Sequence, residues 1–302
     1  MTTLVCIEAI MGAVKPLNQY IVAGADSWLW IDSGISTTPG EWILPELERR
    51  GLTPPAKNLL VVTHADVDHF GGTSALQRAV PGLVTLVHRL DVELLVDREA
   101  LILRRYDNHR ADGIDVPQWR IDELLERAGE PFTVDAVVEG STEFPFGDGA
   151  TWHLIHAPGH SDGHVILWEP ATRTAVVGDA VMGWGVVNGD GDLQPPHYTD
   201  VRRYLETVRM LRDLDVDRMC FSHRSELRGD EVTRFLDESA AAVEAIGDSV
   251  ARALTAKAAD PYLLARVCER VQQESTRWTR TNPEAFVSSV AAHVRDLATV
   301  PS

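Results

Sequence analysis

Residues 58–72 read NLLVVTHADVDHFGG, an apolar run followed at once by four side chains that can bind a metal. These are His64, Asp66, Asp68 and His69. Imidazole nitrogens and carboxylate oxygens are ligands of zinc and similar cations, and a turn that leaves a strand can aim alternate side chains at one point. Capping of the next helix would need only one such residue. The stretch therefore predicts a metal site at the end of a strand.

Three later segments repeat the pattern of an apolar run that leads into histidine or aspartate. They read WHLIHAPGHSDGH at 152–164, AVVGD at 175–179 and MCFSH at 219–223. The remaining ligands of a site at a strand end are expected far away in sequence, at the ends of other strands. Each segment alone is a weak signal, because short motifs recur by chance.

The order of these motifs resembles that of the metallo-β-lactamase-fold hydrolase superfamily, over roughly residues 1–225. The carrying motifs are His-x-Asp-x-Asp-His-x-Gly-Gly, Pro-Gly-His-Ser-x-Gly-His, Gly-Asp and a late Ser-His. The resemblance implies an α/β fold, an αββα sandwich of two β-sheets covered by helices. The metal site would then lie at one edge of the sandwich, between its two halves.

The resemblance also implies two divalent metal ions, with zinc as the first expectation. Carried over by position, one ion would be held by His64, Asp66 and His160, and the other by Asp68, His69 and His223, with Asp179 bridging them. Asp66 departs from the family, which usually has histidine there. A carboxylate lowers the net positive charge of the cluster and makes it harder, which favours manganese or iron. In the alternative, Asp66 lies outside the coordination sphere and only the second site is filled.

The chemistry implied by the resemblance is hydrolysis, in which hydroxide held by the metals attacks a carbonyl. Asp68 would pass a proton to the leaving group. The motif at 158–164 and Asp179 are most similar to the thioesterase, glyoxalase II-like and lactonase branches, so an ester, thioester or lactone of a small molecule is expected. Three alternatives stay open: a phosphodiesterase or nuclease, an iron-dependent redox enzyme, and a non-catalytic metal-binding module.

Several residues near the motifs have supporting roles in this interpretation. Asp32, in the turn after an apolar run, is expected to orient a ligand loop rather than to bind metal. His156 and His164 are expected to lie outside the coordination sphere or to pack. Tyr198 is a candidate for contact with the substrate, although an aromatic residue on a loop more often packs.

The composition narrows the classes of partner. A net charge of −17 over 302 residues disfavours nucleic acid, whose binding requires many cationic contacts with phosphate. Arg104-Arg105 is interpreted as a solvated helix face or as an anchor for one anionic group.

Three separated cysteines do not form a disulfide framework. No stretch is apolar enough to span a bilayer and no leader is apparent, so no membrane contact and a cytoplasmic location are expected.

The chain order predicts a catalytic domain over residues 1–228 and a helical C-terminal extension over 229–302. Helical periodicity between about 89 and 130 predicts an insertion that forms a lid over the site or covers a sheet face. The extension is predicted to form three helices, with breaks near Gly247, Asp260-Pro261 and Asn282-Pro283. It leaves homo-oligomer formation or closure over the substrate open.

The periodicity also predicts individual elements. Strands are expected near 4–14, 18–24, 27–32, 83–87, 134–139, 151–156, 164–169 and 174–178, and helices near 40–50, 73–80 and 200–213.

Overall fold

The computed structural model describes residues 2–12, 15–188, 191–254, 263–281 and 283–299. Its first half builds one sheet and the helices that cover it. In chain order the elements are β1 (Thr3–Met11), β2 (Lys15–Ala23), β3 (Ser27–Ile31), α1 (Leu44–Arg49), β4 (Lys57–Val61), α2 (Val67–Phe70), α3 (Thr73–Ala79), β5 (Leu83–His88), α4 (Val92–Val96), α5 (Arg98–Leu101), α6 (Gln118–Ala128) and β6 (Ala136–Val138). α1 continues a π-helical turn, Pro39–Ile43, and a second such turn, Ile102–Tyr106, follows α5.

The second half builds the other sheet and the C-terminal helices. Its elements are β7 (Thr142–Pro145), β8 (Thr151–His156), β9 (Val165–Glu169), β10 (Thr174–Gly178), β11 (Val186–Val187), β12 (Leu193–Gln194), α7 (Val201–Asp213), β13 (Arg218–Phe221), β14 (Leu227–Arg228), α8 (Asp230–Leu254), α9 (Leu263–Glu274) and α10 (Val287–Thr299). The predicted strands and helices lie within a few residues of their observed positions, and residues 13–14 of the first predicted strand lie outside the described residues.

Each half contributes a six-stranded sheet. The first has the order β1-β2-β3-β4-β5-β6, and the second has the order β14-β13-β10-β9-β8-β7. β3, β4, β5 and β6 run parallel to one another, and β10 runs parallel to β13. Parallel strands end at one edge of their sheet, so the loops that follow β3, β4, β10 and β13 are brought to the metal-binding edge.

The strand pattern explains the layers. In β1, Leu4 and Cys6 pack with residues of the other sheet, whereas Val5 and Ile7 pack with the helices that cover the first sheet. Alternate side chains of a strand point to opposite faces, so one strand serves two cores. A third core joins the outer face of the second sheet to α7 and α8. This arrangement confirms the predicted αββα sandwich.

The run of helices between β5 and β6 occupies the position of the predicted insertion and covers a sheet face, as one of the two interpretations proposed, whereas a lid over the site stays a prediction. Leu95, Leu101 and Leu124 are buried against the first sheet. Tyr106 and Trp119 line the cleft above the predicted site. The insertion therefore covers a sheet face and forms one wall of the cleft.

The C-terminal segment forms helices as predicted, but the predicted break at Gly247 is wrong. α8 runs through Gly247 without interruption. A Cβ at this position would lie 2.8 Å from Cε1 of His293 on α10, so the glycine allows close helix packing that offsets its low helix propensity. The predicted breaks at Asp260-Pro261 and at Asn282 lie outside the described residues. Among the described residues, no helix has the length and apolar character needed to cross a bilayer.

Candidate metal centre

The predicted ligands converge at the edge of the sandwich in two groups whose donor atoms lie within 4.8 Å of one another. Asp68, His69 and His223 form the first group, called cluster A here. His64, His160 and Asp179 form the second, called cluster B. Asp179 also reaches cluster A, because its Oδ2 lies 3.3 Å from Nε2 of His223 and 3.6 Å from Nε2 of His69.

Hydrogen bonds orient both imidazoles of cluster A. Nδ1 of His69 donates to Oδ2 of Asp32 over 2.7 Å, and Nδ1 of His223 donates to the carbonyl of Pro16 over 2.9 Å. Asp32 also accepts from the backbone N–H and the hydroxyl of Thr63. In both rings Nε2 therefore faces the carboxylates. These contacts agree with the predicted orienting role of Asp32.

The two Nε2 atoms of cluster A are buried and have no hydrogen-bond partner among the described residues. Buried polar atoms are nearly always paired, so two unpaired nitrogens beside two carboxylates need an explanation. A divalent ion accounts for both, because imidazole nitrogen and carboxylate oxygen are the donors that zinc and related metals take. The residues of cluster A therefore fit a metal ion.

The electrostatics favour positive charge inside cluster A. Burial alone would lower the pKa of His69, but Asp32 and Asp179 raise it well above its ordinary value. Burial alone would raise the pKa of Asp68, but Lys15 and His223 hold it well below the usual range. Lys15 Nζ lies 3.0 Å from Oδ2 of Asp68. Protons or a bound cation can supply the favoured charge, so metal binding is expected to release protons.

Cluster B contains a cation of the chain itself. Arg105 donates to both carboxylate oxygens of Asp66, from Nε over 2.5 Å and from Nη2 over 2.7 Å. Nη2 also donates to Nε2 of His160 over 3.1 Å. Oδ2 of Asp66 lies 3.2 Å from Nε2 of both His64 and His160. Asp66 is thus beside cluster B, as predicted, but it is paired with an arginine.

The Arg105–Asp66 pair changes the expected net charge of cluster B. The sequence predicts that Asp66 makes the cluster more negative than in its relatives, whereas the Arg105 guanidinium neutralises this carboxylate. Burial alone would raise the pKa of Asp66, but Arg105 holds it well below the usual range. Metal binding by Asp66 and the preference for manganese or iron that follows from it stay predictions. The interpretation of Arg104-Arg105 as a solvated face is wrong for Arg105, which is buried.

A π-helical turn places Arg105 in the site. Ile102–Tyr106 follows α5, and the N–H of Asp107 donates to the carbonyl of Ile102 over 2.7 Å, the five-residue spacing of a π-helix. Such turns occur often at functional sites. The hydroxyl of Tyr106 accepts from the backbone N–H of Val67 over 2.9 Å. The turn therefore fixes the insertion onto the first ligand loop.

Among the residues that the sequence analysis did not single out is Asp91, which joins two ligand loops. Oδ2 accepts from the N–H of Ala65 over 2.9 Å, and Oδ1 accepts from the N–H of Gly163 over 3.1 Å. Burial raises its pKa to about 6. No sequence motif marks this role, because the partners are 26 and 72 residues away.

The raised pKa of Asp91 predicts a pH effect on stability. Its stabilising contribution is fully present below the unfolded pKa near 3.8 and is lost as the pH rises through about 6. In metal-free protein, lowering the pH from 7 to 4.5 should therefore add about 2 kcal/mol to the free energy of unfolding through this group. The Asp91→Asn variant should lack this increment. Urea unfolding of both proteins at several pH values measures it, and parallel pH profiles would contradict it.

His164 is also fully buried beside the ligands. Its ring stacks on that of His64 with centroids 4.6 Å apart, and its Nε2 accepts from the backbone N–H of Asp179 over 3.3 Å. Both contacts place it behind the ligands, as predicted. His156 instead stacks on His88, and its Nε2 donates to the carbonyl of Asp162 over 2.8 Å.

The C-terminal helices hold the loop that supports His160. Nδ1 of His160 donates to the carbonyl of His197 over 2.9 Å. The hydroxyl of Ser289 at α10 donates to the carbonyl of Pro196 over 2.5 Å, next to that residue. The extension therefore contributes to the geometry of the site.

The structure corrects the prediction for Tyr198. Its side chain is fully buried, its hydroxyl lies 2.9 Å from Nε2 of His293, and its ring packs on Tyr204. The packing interpretation is the one that fits. The neighbouring His197 lines the cleft instead.

The clusters lie at the floor of a cleft of about 700 Å³. Four cationic side chains line it, and each is matched with a carboxylate. Lys15 pairs with Asp68, Arg105 with Asp66, and Arg120 and Arg127 both with Glu123. The cleft thus has the size of a small-molecule site and a balanced charge.

Comparisons with known proteins agree with this geometry. The family model of the metallo-beta-lactamase superfamily matches residues 13–223. A Beta-lactamase-like protein 2 homolog from Caenorhabditis elegans is 30% identical over 221 residues, which is 73% of this chain and 59% of that protein. The chain therefore spans less than two thirds of the length of that relative.

Solved structures show the same fold at low sequence identity. A metallo-beta-lactamase family protein from Thermus thermophilus has a TM-score of 0.74 and 17% identity, covering 99% of this chain and 95% of its own. A Beta-lactamase domain protein from Burkholderia ambifaria has a TM-score of 0.66 and 18% identity, covering 99% and 87%. With the family model matching more than half of the chain, the protein belongs to the metallo-beta-lactamase superfamily.

Proposed function

We propose that this protein is a metal-dependent hydrolase that cleaves the acyl–oxygen or acyl–sulfur bond of an ester, thioester or lactone in a small molecule. The observation that carries the proposal is the pair of buried, unpaired Nε2 atoms of His69 and His223 beside Asp68 and Asp179. A divalent ion at such a site lowers the pKa of a bound water and polarises a carbonyl oxygen. Membership of the metallo-beta-lactamase superfamily supports metal-dependent hydrolysis.

Residues of the chain supply the remaining parts of the reaction. Asp68 faces the cleft as a carboxylate, so it can take the proton released by the attacking water and then pass it to the leaving group. Lys15 fixes the position of this carboxylate. Asp32 keeps the His69 ring in the orientation that presents Nε2.

The charges that line the cleft favour a small neutral or singly charged substrate over a polyanion. The four cations that line the cleft are balanced by four carboxylates, so the cleft lacks the excess of positive charge that a nucleic acid needs. The carboxylates are Asp66, Asp68, Glu123 and Asp179. The absence of nucleic acid and membrane partners and the choice of zinc remain part of the proposal. Two ions, as the sequence predicts, would require cluster B to be filled as well.

A substrate panel tests the proposal. Purified protein, stripped of metal and then loaded with zinc, manganese or iron, should hydrolyse a thioester, a lactone or an aryl ester, and a chelator should remove that activity. Bis(p-nitrophenyl) phosphate should be a poor substrate. Hydrolysis of the phosphodiester alone would favour a phosphodiesterase, and oxygen consumption by the iron-loaded protein would favour a redox enzyme.

A further inference from the structure

One nitrogen of cluster B that could bind a metal, Nε2 of His160, already has a hydrogen-bond partner within the protein. Nδ1 of His160 donates its proton to the carbonyl of His197, so Nε2 is the nitrogen with the lone pair. That Nε2 lies 3.1 Å from Nη2 of Arg105, which donates to its lone pair, and 3.2 Å from Oδ2 of Asp66, which accepts from the same nitrogen when the ring is doubly protonated. An imidazole nitrogen has a single lone pair, which can accept one hydrogen bond or bind one metal. As arranged here, His160 does not fit a metal ion.

Cluster A differs from cluster B in the contacts that its imidazole nitrogens make. Nε2 of His69 and Nε2 of His223 have no hydrogen-bond partner among the described residues, whereas Nε2 of His160 has Arg105. The cation that contacts cluster A is Lys15, and it binds the carboxylate of Asp68 rather than an imidazole nitrogen. Within the part of the chain that the structure describes, cluster A is thus the cluster with unpaired imidazole nitrogens.

The guanidinium of Arg105 is fixed where it lies. Its Nε and Nη2 bind both oxygens of Asp66, and its Nη1 donates to the carbonyl of His160 over 3.3 Å. Four N–H groups of five are therefore engaged with two residues. The planar fork of arginine matches a carboxylate in this bidentate manner, and arginine remains charged even when buried. A divalent ion in cluster B would meet this fixed positive charge.

We propose that the Arg105 guanidinium takes the place of one metal ion in cluster B, so that the chain holds a single ion, in cluster A. The inference rests on the proposed function in that a metal binds at all. It explains the departure at position 66, because an aspartate can hold an arginine in a position where a histidine cannot. Arg105 then supplies one fixed positive charge beside the ion.

Metal content measured by elemental mass spectrometry tests the inference. After loading with excess zinc and desalting, the wild type should hold one ion per chain. The Arg105→Met variant should hold two, because His160 and Asp66 are released as ligands. Arg104→Met is the matched control and should hold one, because Arg104 is on the surface and pairs with Glu93.

Arg105→Met leaves the buried carboxylate of Asp66 without its arginine, which destabilises the fold. A second variant therefore separates loss of folding from a change in metal content. Asp66→Asn combined with Arg105→Met removes both charges together and should also hold two ions. Paramagnetic resonance of the manganese-loaded wild type needs no variant and should show an isolated ion. Two ions or a spin-coupled pair in the wild type, or one ion in both Arg105 variants, would overturn the inference. No ion in any protein would instead overturn the proposed function.

Discussion

Replacing His223 by alanine should abolish the hydrolytic activity and the metal content of cluster A. His223 presents one of the two unpaired nitrogens, and its loss leaves His69 as the only imidazole of the cluster. A catalytic metal contributes several kcal/mol to stabilisation of the transition state. About 4 kcal/mol corresponds to roughly a thousandfold loss of rate. Measured kcat/KM on the best substrate of the panel should fall by at least this factor.

The matched control for this variant is His153→Ala. His153 lies on β8, is partly exposed and faces Glu143, away from both clusters. Its replacement should leave both the activity and the metal content unchanged. If His223→Ala kept its ion and more than a tenth of the activity, cluster A would not be the catalytic site.

The sequence was sufficient to predict which histidines and aspartates meet at the edge of the sandwich, because they follow four separate apolar runs. His64, Asp179 and His223 lie within three residues of the ends of β4, β10 and β13, and strands are recognised from local composition. The resemblance of the motif order to the metallo-β-lactamase-fold superfamily then implied the sandwich. These features are local, so no knowledge of distant contacts was needed.

The residues that the sequence did not reveal act through distant partners. Arg105 is 39 residues from Asp66, and Lys15 is 53 residues from Asp68. An arginine in a helical insertion is compatible with a solvated face, and only the packing of the insertion decides that Arg105 is buried. The sequence also did not predict that α8 is continuous, because the packing of Gly247 against His293 is not visible in the local pattern.

The glycine pair of the first motif is also explained by packing. Gly71 has ordinary helical dihedral angles, with φ −57°, so its conformation does not require glycine. A Cβ at this position, however, would lie 2.0 Å from the carbonyl oxygen of Arg127 at the end of α6. That oxygen accepts a hydrogen bond from the N–H of Ser36 over 2.8 Å, so it is held in place. The last helix of the insertion thus contacts the ligand loop backbone to backbone.

Gly71→Ala should therefore destabilise the fold severely. Overpacking typically costs about 1–3 kcal/mol, and the clash with fixed backbone places this variant at about 3 kcal/mol or more. The melting temperature should fall by roughly 5 °C or more. Differential scanning calorimetry of the metal-free protein measures the change without any contribution from bound metal.

Gly40→Ala is the matched control, because it makes the same chemical change in open space. Apart from its chain neighbours and its own helical turn, a Cβ at Gly40 would have no atom of the described residues within 4 Å. Its melting temperature should match or slightly exceed that of the wild type, since alanine restricts the unfolded chain more than glycine does. Equal effects of the two substitutions would show that α6 can move away from the ligand loop. The insertion would then be a loosely attached lid, and the position of Arg105 would not depend on this contact.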